Sequence, residues 1–229
     1  MQQSFIITLL ALAIASASAR EEIEVTPHDR YSSSIGVIGC FIKTNRVAYF
    51  PTVPSCEHPC VRRTHKYSGR QLTLLRIDQS QGAYDISYDA WNILGTSQSA
   101  TEAPALGNSI PVYMEPVAFE DPECQGLLQG RAGGKIPLMA SSPNWGLTCQ
   151  DKVRFFNFRD PICSLGSDEE CALDKDGVIQ CPNGVGMVDT YNGPTVTDIP
   201  YGDPSATPLV EPEEAPYSST RGGLGVLQV

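Results

Sequence analysis

Residues 74–94 read LLRIDQSQGAYDISYDAWNIL, and this stretch decides the fold. Leu74 to Asp78 is an apolar run closed by a carboxylate, the pattern of a strand with one or both faces buried. Gln79 to Gly82 supplies turn chemistry. Asp85-Ile86-Ser87 then opens a short helix over Tyr88 to Leu94, with Ser87 as its natural N-cap, Asp89 suited to the positive first turn and Gly95 as the stop. Ala90, Ile93 and Leu94 make its apolar face, with Trp91 beside them. Such a junction places polar groups at the mouth of a barrel or sheet, so Asp78 and Asp85 are the first residues to weigh.

Outward from this core the short apolar runs favour strands. Ile35 to Ile42 and Arg46 to Phe50 are β-like. Cys60 to Tyr67 followed by Arg70 to Asp78 reads as a hairpin closed at Ser68-Gly69. Val112 to Phe119 and Val153 to Phe158, rich in Val, Tyr and Phe, are further strands. A hairpin, one short helix and several strands between Gly/Pro loops describe a small β-barrel with helical decoration better than an open sandwich. No internal repeat is visible.

The ends of the chain have a different character. Residues 1–19 hold an apolar run from Phe5 to Ala15 and end in Ala17-Ser18-Ala19, the pattern of a secretory signal peptide cleaved after Ala19. That run is too short to span a bilayer as a helix. Residues 20–34 are charged and then Ser-rich, an N-terminal extension, so the folded domain is expected over 35–189, about 150 residues and one domain's worth. From Tyr191 onward, prolines recur through polar and acidic residues, and residues 190–229 read as a disordered acidic tail. Its closing GGLGVLQV is too short and mixed for a lipid-anchor signal.

Eight cysteines, Cys40, Cys56, Cys60, Cys124, Cys149, Cys163, Cys171 and Cys181, lie within the expected body. An even number behind a signal peptide predicts a disulfide framework of up to four bridges, whose pairing the spacing leaves open. No Cys-x-x-Cys pair is present, and His58 sits in a cramped Cys-Glu-His-Pro-Cys loop, so no metal and no cofactor is expected. Asp174-x-Asp176-Gly177 resembles the start of a calcium loop but lacks the closing acid and reads as a turn. The formal net charge of −10 argues against a nucleic-acid partner. Half of it falls from Asp189 onward, which leaves a net acidic body with no attraction to anionic membranes. A monomer is expected. There is no Asn-x-Ser/Thr sequon, Gly-x-Ser-x-Gly, His-Glu-x-x-His or Gly-rich phosphate loop.

Ile77-Asp78-Gln79, Gly82, Asp85-Ile86-Ser87 and Trp91 together resemble the core motif of the barwin-like, expansin-like double-psi β-barrel proteins. In that motif a strand with Val/Ile-Asp-Gln meets a Gly turn, then Asp-Leu/Ile-Ser and a helix ending in an aromatic. The run is similar also to that of a group of fungal secreted cysteine-rich proteins with this barrel. The match covers about twenty residues and extends loosely from Ile35 to Phe119. The resemblance implies a six-stranded barrel and an extracellular polysaccharide target, although fold alone does not assign function.

In the polysaccharide-acting relatives the Asp of the Asp-Leu-Ser motif is the central acid, and by position this is Asp85. A glycosidase using a carboxylate pair needs a second acid about 5–9.5 Å away. In the related endoglucanases that acid lies on the first barrel strand. Taken as Ile35 to Ser55, that region here carries no Asp or Glu, which expansins, considered non-hydrolytic, also lack. The expected function is therefore binding of cell-wall polysaccharide without hydrolysis. The alternatives are an effector or protease inhibitor acting on an extracellular protein, and a lytic glycan-cleaving enzyme with Asp85 as sole acid/base.

Each site residue has a plainer role beside this one. Asp85 and Asp78 can brace backbone N–H groups at the turn and helix start. Tyr84 and Tyr88 can stack on sugar rings or pack on the barrel. Trp91 reads as core, Trp145 in its Pro-Asn-Trp-Gly loop as an exposed aromatic, and His65 as a surface residue.

Overall fold

The computed structural model describes residues 20–203 and 207–208. Six strands close a barrel: β1 (Glu21–His28), β2 (Val47–Phe50), β3 (Cys60–His65), β4 (Gln71–Gln79), β5 (Tyr84–Ser87) and β6 (Ile110–Val117), in the order β1-β5-β2-β4-β3-β6. The β1–β5 and β2–β4 pairs are parallel, and the other neighbours are antiparallel. β1 and β2 flank β5, while β4 and β5 flank β2, so each of two connections passes a strand lying between its own ends. These interlocked crossovers make a double-psi barrel, and closure leaves no unpaired edge.

Alternate residues fill the two faces of each strand. Val25, Ala48, Phe50, Val61, Leu74, Ile86 and Val112 form the interior core. Helix α1 (Tyr88–Thr96) packs Tyr88, Ala90, Trp91 and Leu94 onto it. The opposite faces of β2 and β4, through Val47, Tyr49, Leu75 and Ile77, join a second core shared with the rest of the chain.

That second core belongs to a four-stranded sheet, β7 (Ile136–Met139), β8 (Val153–Phe158), β9 (Gly166–Leu173) and β10 (Ile179–Gln180), in the order β10-β9-β8-β7. The connection from β1 to β2 lies along its edge: Ile38 N–H donates to Pro137 O at 3.0 Å and Met139 N–H to Gly36 O at 2.8 Å. A short helix α2 (Pro122–Gln125) precedes the sheet. All eight cysteines are paired, as Cys40–Cys163, Cys56–Cys149, Cys60–Cys124 and Cys171–Cys181. The first three join the barrel and its loops to the second half of the chain, and the fourth staples β9 to the end of β10. No helix among the described residues is long and apolar enough to cross a membrane.

The hairpin at Ser68-Gly69, the strands ending at Phe50 and Phe158, and the helix after Ser87 stand where the sequence predicts them, and the strand expected over Val112 to Phe119 runs over Ile110–Val117. Others need correction. Ile35 to Ile42 is not a strand: Gly36 takes φ +84°, Gly39–Phe41 forms a 3-10 turn, and only Val37 and Ile42 make isolated bridges. The folded body begins at Glu21 rather than Ile35, because residues 21–28 are a barrel strand. Its end also moves: Val196 is buried, Thr44 Oγ1 donates to Thr197 O at 2.9 Å, and the Tyr201 hydroxyl bonds Gly107 O at 2.8 Å, so residues 191–203 pack on the body. α1 runs past Gly95 to Thr96, with Ser97 at φ +77° as its C-cap, and Ser87 makes no side-chain cap bond. The expected leader over 1–19 and the tail beyond 208 lie outside the described residues.

Candidate functional site

Strand β5 turns Tyr84 and Ile86 toward the barrel interior and Asp85 and Ser87 to the outer face, by the alternation of a strand. Register then sets Asp85's neighbours. Asp85 lies opposite Thr26 on β1 and Tyr49 on β2, and Tyr49 lies opposite Asp78 on β4. Thr26, Asp85, Tyr49 and Asp78 form a row across four adjacent strands of the outer surface.

The row runs from solvent into the protein. Thr26 Oγ1 donates to the Asp85 carboxylate, and both residues are partly exposed. Tyr49 is buried, with its ring stacked on His28 at 3.8 Å between centroids and its hydroxyl accepting from Ser32 N–H at 3.2 Å. Asp78 is buried and occupied: it accepts from Ser34 N–H, from the Ser34 hydroxyl at 2.7 Å and from Gln79 N–H at 2.7 Å. These bonds bind the returning 32–34 loop to β4, so Asp78 braces the turn instead of facing a ligand.

A further carboxylate reaches this face from the other end of the chain. Asp198 accepts from Tyr31 N–H at 3.2 Å. Burial raises its pKa above the ordinary carboxylate value, against the pull of the Tyr31 and Ile199 amides and of the nearby Arg30 and His28. Burial likewise raises the Tyr49 phenol, with Asp198 and Asp78 adding to the shift.

The first barrel strand is β1 rather than a strand within Ile35 to Ser55, and it carries Glu21, Glu22 and Glu24. Glu22 and Glu24 share the outer face with Thr26 by alternation. Glu22 pairs with Lys66, whereas Glu24 is exposed and forms no ion pair or hydrogen bond among the described residues. With Thr26 opposite Asp85, strand geometry puts the Glu24 and Asp85 Cα atoms roughly 8 Å apart.

The expected aromatics do not join this row. Tyr84 points inward and meets Phe50 edge to face at 5.2 Å. Tyr88 is buried, donates its hydroxyl to Ala105 O at 2.8 Å and packs against Trp91 and Tyr201, so it offers no stacking surface to a sugar. Trp91 is core, as its helix position predicts. Trp145, expected to be exposed, is buried with its indole N–H on Pro54 O at 2.8 Å. His65 hydrogen-bonds the Ser68 hydroxyl at the hairpin turn. The loop after α1 is bound by Asn92, whose side chain bonds Gln98 O, Ala103 O and Ala105 N–H, and makes no hydrogen bond to Asp85. Glu169, Cys171 and Cys181 lie together, but both sulfurs belong to a disulfide. Asp174 accepts from the Asp176 and Val178 amides, the turn its spacing predicts.

Sequence reasoning missed Thr26, His28, Tyr49, Glu24 and Asp198. The signal for the first and fourth was the alternation in EEIEVT over residues 21–26, obscured by its charge. No local signal marks Asp198. Comparison with protein-family models, curated proteins and solved structures finds no match for this chain.

Proposed function

We propose that this chain is a secreted, barwin-like protein that binds cell-wall polysaccharide through the outer face of β1 and β5. The observation that carries the reading is the division between its two motif carboxylates. Asp78 is consumed by three internal bonds, while Asp85, oriented by Thr26, stays at the solvent edge. A carboxylate held beside a hydroxyl is a ready acceptor for paired sugar hydroxyls. Four disulfides suit an oxidising extracellular setting.

A second reading, glycan cleavage, is supported by one observation: Glu24 stands exposed on the same face as Asp85. Carboxylates separated by about 6.5–9.5 Å leave room for a water in the inverting mechanism.

The test is a pull-down of the disulfide-bonded protein on insoluble chitin, cellulose, β-glucan and peptidoglycan, with Asp85→Ala and Glu24→Gln alongside and the supernatant assayed for released sugar. Binding that Asp85→Ala abolishes while its unfolding temperature is kept, with no sugar released, is the expected result. Sugar release that Glu24→Gln removes turns the reading to an enzyme. Absence of binding to all four discards the glycan reading for these targets and leaves a protein partner.

A further inference from the structure

The barrel interior holds a cation with no counter-ion bonded to it among the described residues. Arg63 on β3 points inward, two residues from Val61, and is fully buried. None of its three guanidinium nitrogens finds a hydrogen-bond acceptor among the described residues. The group lies 4.4 Å from the Phe50 ring centroid, and the Arg76 guanidinium lies 4.6 Å from the same centroid. Arg76 spends one nitrogen on Thr52 O, Thr52 Oγ1 and Val53 O at 2.7, 2.9 and 3.2 Å, while its Nε is buried without a partner.

This arrangement is unfavourable as it stands. A guanidinium carries five donors in a rigid fork, and desolvating them without acceptors costs far more than one ring contact returns. Burial, with the Arg76 charge adding to it and Tyr84 and Glu21 partly offsetting it, lowers the Arg63 pKa to about 9, and neither Tyr84 nor Glu21 hydrogen-bonds the group. An apolar residue would fill the position at no such cost. One unsatisfied fork and a second with a free Nε, converging on one ring at the end of the barrel where Arg76 and Tyr84 are partly exposed, match the donor pattern that holds a carboxylate or phosphate.

We propose that Arg63 and Arg76 form an oxyanion site inside the barrel, entered past Arg76 and Tyr84, that takes a phosphate or carboxylate group. The site lies on the opposite face of β5 from Asp85 and stands independently of the polysaccharide reading.

The test uses the disulfide-bonded chain with 15N-labelled arginine, titrated with inorganic phosphate, acetate and glucuronate at constant ionic strength against chloride. Saturable shifts of the Arg63 and Arg76 Nε–H signals are expected with at least one anion, together with a saturable rise in unfolding temperature. A response to phosphate alone assigns a free tetrahedral anion, and a response to acetate or glucuronate assigns a carboxylate. Arg76→Gln weakens the affinity at least tenfold. Arg63→Met raises the unfolding temperature in chloride and abolishes the response; if it does not fold, the wild-type titration and Arg76→Gln decide. Saturable shifts absent for all three anions, or unchanged in Arg76→Gln or Arg63→Met, overturn the site.

Discussion

Asp78 and Asp85 come from one motif and meet opposite fates. Asp78 is buried with three bonds to Ser34 and Gln79. Asp78→Ala is therefore expected to cost about 2–3 kcal/mol, because it strands buried donors and frees the 32–34 loop. Asp85 has one partner and partial exposure, so Asp85→Ala is expected to cost less than about 1 kcal/mol. Urea denaturation of both variants checks the contrast, and equal losses would remove the structural case for separating their roles. Asp198 supplies a pH signature. Its folded pKa is raised above 3.8 by burial, so the folded chain holds this proton more tightly than the unfolded one. Stability due to Asp198 then falls as pH rises from 3.8 through the raised value. Asp198→Asn is expected to flatten that part of the stability profile, and a profile left unchanged refutes the assignment.

Helix α1 is a nine-residue element, too short to persist by itself. Its neighbours hold it. Arg70 donates to Leu94 O at 2.8 Å and Gly95 O at 2.6 Å, which satisfies orphan carbonyls at the C-terminus. At the other end Asp89 pairs with Arg46 at 2.7 Å and accepts from Ser99 and Ala100. Burial opposes ionisation of Asp89, yet these partners outweigh it and leave the pKa below its ordinary value. The expected cap, Ser87, takes no part. In the second sheet Gly166 sits at φ +119°, and a Cβ there would lie 2.4 Å from Asn157 O and 2.6 Å from Phe158 Cα. Gly166→Ala is thus expected to disrupt the β8–β9 pairing at a cost of about 3 kcal/mol or more. Hydrogen exchange across Phe155 to Phe158 reads this directly, and protection equal to wild type would contradict it.

At the scale of the molecule, two layers share a core and a covalent frame. Cys40–Cys163, Cys56–Cys149 and Cys60–Cys124 connect positions 123, 93 and 64 residues apart. The 191–203 segment closes over the join through Val196, Thr197, Asp198 and Tyr201. A chain ending at Thr190 loses the burial of Val196 and these bonds. Its unfolding temperature is expected to fall by roughly 5–10 °C, given about 2–4 °C per kcal/mol at this size. A fall below about 2 °C would show that the segment adds little to the fold.

Local pattern favoured a small β-barrel over a sandwich and determined the Ser68-Gly69 hairpin, the helix after Ser87 and the cysteines as bridges, while the six-stranded double-psi form came from the resemblance of the 77–91 motif. Alternation, turn residues and redox chemistry act within a few positions of each other, so they can be read along the chain. β1 was misplaced because the charge of its glutamates hid a period of two whose apolar members, Ile23 and Val25, line the barrel. Only the tertiary structure decided the disulfide pairing, the second sheet, and which motif carboxylate faces solvent. It alone brought Asp198 beside Tyr31 and set Arg63 against Arg76. Each of these depends on register and packing between residues far apart in sequence, where desolvation and neighbouring charge are set by the assembled fold.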